Sequence, residues 1–124
     1  MTMTTTILPT TNEAWGFWGT IGHQEIDRSE AWALATTAIV KATGGTPEAV
    51  RDFLDSRHGR HFADDVANGL FAGLTLSDAI DTAVAKWMGW RIGKHTEREH
   101  GIPRDLPYLT GWVTHCAIMT DTTD

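Results

Sequence analysis

Cysteine is nearly absent from this chain of 124 residues: Cys116 stands alone. A single cysteine excludes an intramolecular disulfide and suits a reducing cytosol. It lies in an apolar stretch with no base nearby, so it reads as a core thiol and not as a nucleophile. No apolar run approaches the roughly 20 residues that span a bilayer. The N-terminus, MTMTTTILPTT, has no charged n-region and no apolar h-region, so no signal peptide is expected. Basic residues are scarce, 10 against 16 acidic ones, giving a net charge of −6. That balance argues against general nucleic-acid binding. Phosphate-binding GxxxxGK[ST], zinc-binding HExxH and nucleophile-elbow GxSxG patterns are all missing.

What is present is a chain 41% hydrophobic with six tryptophans: Trp15, Trp18, Trp32, Trp87, Trp90 and Trp112. Large aromatics bury much area each and offset the many small residues. The expected domain plan is a flexible tail over 1–11, one helical domain over 12–119 and a flexible tail over 120–124.

Helix signals recur along the domain. NEAWGFWGTIGH, residues 12–23, reads as a short helix or packed loop, weakened by its glycines. Asp27, with Glu30 three residues on, caps a helix carrying Trp32, Ala35, Ile39 and Ala42 on one face. Leu34 and Ala38 widen that face, so the helix is expected to be buried on most sides. Thr46 and Pro47 open the next helix, which Gly59 is expected to break. A further helix runs from about Arg60 to Ala72, with Phe62, Val66 and Leu70 at i, i+4 and i+8. Thr75 and Asp78 cap another, holding Leu76, Ile80, Ala83, Val84 and Trp87. Leu109, Trp112, Val113 and Cys116 follow helical spacing at the end, although the β-branched residues there also suit a strand. The sum is an all-α, compact single-domain bundle of five or six short helices.

SRHGRHFADD, residues 56–65, is the densest ionisable stretch. With a helix starting near Arg60, His61, Asp64 and Asp65 share one face and His58 joins from the turn. Histidine with carboxylate is a reasonable ligand set for zinc, manganese or iron. The bland alternative is a helix corner in which Arg57 and Arg60 pair with acidic neighbours. As a DNA-reading helix–turn–helix the corner is poorly suited, because paired aspartates repel phosphate.

Lys86 to Arg104 forms a second candidate. It holds five of the ten basic residues against Glu97 and Glu99, a local charge of +3 that leaves −9 elsewhere. If the helix continues past Gly89 and Gly93, Arg91, Lys94, His95 and Arg98 line up beside Trp87 and Trp90. Basic and aromatic residues together bind phosphate or single-stranded nucleic acid. The bland reading sets this face against Asp52, Asp55, Asp78 and Asp81.

The segments NEAWGFWGTIG, VRDFLDSRHGRHFADDV, WMGWRIG and GIPRDLPYLTGW together resemble a group of small proteins of proteobacterial genomes, plasmids and integrating elements. The resemblance covers about residues 12–116. It implies a bacterial cytosolic accessory protein, and by analogy one that binds a host or defence protein, as inhibitors of CRISPR effectors do.

Three functions follow as expectations. The first is a cytoplasmic, non-enzymatic protein-binding module that needs no cofactor. Its partner-binding residues are Arg57, His58, Arg60, His61, Arg91, Lys94, His95 and Arg98, with Trp15, Trp18 and Trp90 as apolar anchors. The second is a metal-dependent hydrolase built on His58, His61, Asp64 and Asp65. The third is nucleic-acid binding through residues 86–104.

Overall fold

Side-chain caps start most of the helices. Asp27 accepts from the backbone N–H groups of Ser29 and Glu30 and opens α1, Arg28–Thr43. Thr46 does the same for α2, Pro47–Asp55, and Ser56 for α3, Arg57–Phe71. Thr75 caps α4, Leu76–Gly89. These bonds satisfy amide donors that a helix start leaves without partners. Gly93 begins the short α5, Lys94–His100, without a side-chain cap, and α6 is Tyr108–Thr122. The computed structural model describes residues 20–21 and 24–122.

The all-α bundle expected from periodicity is what forms. Among the described residues it adds a two-residue antiparallel pair and an isolated antiparallel bridge of Arg91 with Pro107. In the pair β1, Thr20–Ile21, lies against β2, Gln24–Glu25, with Thr20 opposite Glu25. That pair replaces the helix or packed loop expected at Thr20 and Ile21. Trp15, Trp18 and the 1–11 tail lie outside the described residues. At the other end α6 runs to Thr122.

α2 and α4 form the middle of the bundle, each lying against α1, α3 and α6. Val50, Phe53 and Leu54 of α2 are fully buried, as are Phe62 and Val66 of α3 and Leu109 of α6. Trp87 joins them, with its ring edge-on to Phe53 and Phe62 at centroid distances of 5.8 and 5.6 Å. α1 buries Ala31, Trp32, Ala35 and Ile39 but leaves Leu34 38% exposed. It is therefore buried on one side, not most: the helix packs on α4 and α2 and turns Leu34 and Thr37 outward. No helix among the described residues is long and apolar enough to cross a membrane.

One boundary differs from the sequence expectation, and one that the sequence left open is fixed. Gly59 does not break a helix. It is buried inside the first turn of α3, because the corner is a single residue, Ser56, which ends α2 and caps α3. A DNA-reading helix–turn–helix has a turn of three or four residues, so this corner lacks its geometry. Beyond WMGWRIG the sequence allows either a continued helix or a separate turn, and the helix carrying Trp87 stops at Trp90. There the backbone crosses the segment before α6. Tyr108 N–H donates to Trp90 O at 2.7 Å, Ile92 N–H to Leu106 O at 2.9 Å, and Asp105 N–H to Ile92 O at 2.9 Å.

Candidate functional site

Starting α3 at Arg57 puts His58, His61 and Asp65 at i, i+3 and i+7, on one face of the helix. That face meets the end of α4 and the start of α6. Between them lies a cavity of about 320 Å³, lined by His58, His61, Asp64 and Asp65 on one side. Trp87, Trp90 and Tyr108 line the other. The four ionisable residues singled out in SRHGRHFADD are thus brought together, and Trp90 with them. Trp90 is 44% exposed and Trp87 is buried behind it, their ring centroids 5.8 Å apart. Tyr108 stands edge-on to both, at 5.7 and 5.4 Å.

Asp65 is tied into this wall. One oxygen accepts from Trp87 Nε1 at 2.7 Å and the other from Lys86 Nζ at 3.3 Å. Its partner is thus Lys86, not an arginine of the corner. Lys86 Nζ also lies 5.3 Å from the centre of the Trp90 ring, within cation–π range. Asp64, one residue earlier, is exposed and enters no ion pair among the described residues.

His58 has a second neighbourhood. Its ring stacks on Trp112 at 3.7 Å, and His100 and His115 stand edge-on to the same indole at 5.1 and 5.5 Å. Trp112 Nε1 is buried without a hydrogen-bond partner among the described residues. Burial first, then the charges of His61, His100, Arg57 and His115, hold the pKa of His58 down at about 4. Burial and His100 lower that of His115. Both imidazoles are therefore neutral near pH 7.

This arrangement gives stability a pH slope. In the unfolded chain His58 takes a proton near its ordinary value of 6.5, whereas in the folded chain it does so only near 4. Its contribution is complete above about 6.5 and is lost as pH falls towards 4. Full conversion at 1.36 kcal/mol per pKa unit overstates a half-buried group, and solvent screening leaves about 1–2 kcal/mol. Urea midpoints at pH 7.5 and 5.0 measure the slope. His58→Phe, which keeps a ring on Trp112, is expected to flatten it, and an unchanged slope would refute the assignment.

The basic segment is less unified than its spacing suggests. Arg91 sits in the crossing, not on a helix, and donates to Met88 O at 2.7 Å. The expected face of Arg91, Lys94, His95 and Arg98 is therefore split, with only the last three on α5. All four are exposed, and none lines the cavity. Two further cations of the segment are paired, Lys86 with Asp65 and Arg104 with Glu97 at 2.9 Å. The acidic partners are thus Asp65 and Glu97, not the Asp78 and Asp81 of the sequence expectation.

Among the described residues no three His, Cys, Asp or Glu side chains form a group able to hold a metal ion. Burial, with Asp52 nearby, pushes the Cys116 thiol up to about 11, so it stays protonated and unreactive. The sequence places Trp87 both among the core apolar residues and beside the basic segment, and sets neither Tyr108 nor His115 apart. Trp112 and His115, three apart on a helix, were the one local signal for the histidine cluster. No family model matches the chain, and neither a curated protein nor a solved structure matches it.

Proposed function

We propose that this chain is a cytoplasmic, non-enzymatic protein-binding module. Its binding surface runs from the exposed Arg57, Arg60 and His61 of the α2–α3 corner to Trp90. The observation that carries the proposal is Trp90, a half-exposed indole at the mouth of a cavity with a buried aromatic wall behind it. Tryptophan set at a pocket, with arginines near it, is a usual form of interface hot spot. Lys94, His95 and Arg98 on α5 form an outlying basic patch of this surface. The likeness of its segments to proteins of plasmids and integrating elements extends the proposal to an accessory or anti-defence role in a bacterium.

The hydrolase alternative has less behind it, because both oxygens of Asp65 are engaged by Lys86 and Trp87. So has nucleic-acid binding, because Lys86 and Arg104 are neutralised within the chain.

Affinity capture from nuclease-treated bacterial lysate, followed by binding measurement on the purified partner, tests the proposal. Trp90→Ala is expected to weaken binding about 30-fold, the scale of an aromatic hot spot. Arg57→Glu with Arg60→Glu is expected to weaken it further. A partner held equally by all three proteins would sink the mapping.

A further inference from the structure

We infer that the cavity between α3, α4 and α6 accepts the ammonium group of a lysine side chain from a partner polypeptide, at the position that the chain's own Lys86 marks. This inference rests on the protein-binding proposal and names what the pocket would take. Trp90 and Tyr108 form two walls close to perpendicular, 85° apart, and Trp87 closes the back. Aromatic faces carry negative potential, and cations are held over them most strongly where water is excluded. A carboxylate belongs in the same wall: Asp65 lies 3.3 Å from Lys86 Nζ.

Lys86 therefore demonstrates the recognition chemistry. One ammonium meets an indole face and a carboxylate together. Yet Lys86 is a surface side chain, 49% exposed, so solvent screens its bond to Asp65. Its flexible four-carbon stem lets it swing aside. An incoming lysine that reaches deeper meets the same groups with less water, and Asp64 adds a second carboxylate at the rim. His58 adds no opposing charge near neutral pH, being held uncharged by its burial. An anion would face two carboxylates, and an apolar side chain would leave them desolvated without a counter-charge.

The probes are Nα-acetyl-lysine methylamide and its neutral counterpart, Nα-acetyl-norleucine methylamide. Each is titrated into the full ¹⁵N-labelled chain while the Trp90 indole N–H resonance is followed. The lysine probe is expected to give a saturable shift, and the norleucine probe binding at least about ten-fold weaker. Lys86→Met should tighten lysine binding about three-fold by removing the resident cation, and Asp64→Asn should weaken it by a similar factor. Equal binding of the two probes, no shift with either, or weaker binding by Lys86→Met overturns the inference. The two proposals fail separately. Partner capture that needs Trp90, without lysine binding, leaves only the protein-binding reading. Lysine binding with capture indifferent to Trp90 leaves only the cation pocket.

Discussion

Gly59→Ala destabilises the folded chain by about 3 kcal/mol or more, lowering the melting temperature by roughly 12 °C. The cause is the single-residue corner. A methyl group on Gly59 would run into the backbone carbonyls of Leu54 and Phe53, well inside contact distance. Those atoms belong to the last turn of α2 and cannot give way as a flexible side chain does. Phe53 and Leu54 are both fully buried, so shifting α2 disturbs the centre of the core. Elsewhere in a helix the same change adds up to about 1 kcal/mol of helix propensity. Gly89→Ala supplies that control, since a methyl at Gly89 meets no atom within 4 Å. Thermal melts of both variants decide the matter. If Gly59→Ala melted with the wild type, the close approach at the corner would be wrong.

Trp87→Ala is expected to cost about 4 kcal/mol, the middle of the range for losing a buried aromatic. Trp87 touches Phe53, Phe62, Trp90 and Tyr108 and is 2% exposed. Removing it opens a void at the meeting point of α2, α3, α4 and α6 and strips the back wall from the site. Trp87→Phe separates packing from hydrogen bonding. It keeps a ring in the core but loses the indole N–H that Asp65 accepts at 2.7 Å. That lost bond to a charged acceptor costs about 1–2 kcal/mol. Urea unfolding of the two variants tests the split. Equal losses would mean that the hydrogen bond, and not the ring, is what matters.

Local chemistry was legible in the sequence, and distant chemistry was not. Asp27, Thr46 and Thr75 could be read as caps because the amides they bind lie two or three residues away. The apolar stripe of Phe62, Val66 and Leu70 was legible because a helix repeats within one segment. Gly59 was misread because its low propensity is a local signal, while its burial reflects a neighbouring helix. The end of α4 was left open for the same kind of reason. Trp90 O accepts from Tyr108 N–H, a partner that no window around Trp90 contains.

The site divides along the same line. Its acidic and imidazole side sits within SRHGRHFADD and could be assembled by counting residues along a helix. Its aromatic side needs Trp87 and Trp90 from α4 beside Tyr108 from α6, which only the packed fold supplies. The stack of His58 on Trp112 is legible in neither segment alone.

The pairing of α2 with α6 also has a meaning in time. The face of α2 that Leu109 and its neighbours cover is synthesised some fifty residues before them. At about 5–20 residues per second, a ribosome takes roughly 3–10 s to cover that stretch. Until α6 is made, Val50, Phe53 and Leu54 have α1 and then α3 beside them, but not the helix that completes their enclosure. The nascent chain thus passes through a stage with an uncovered apolar seam.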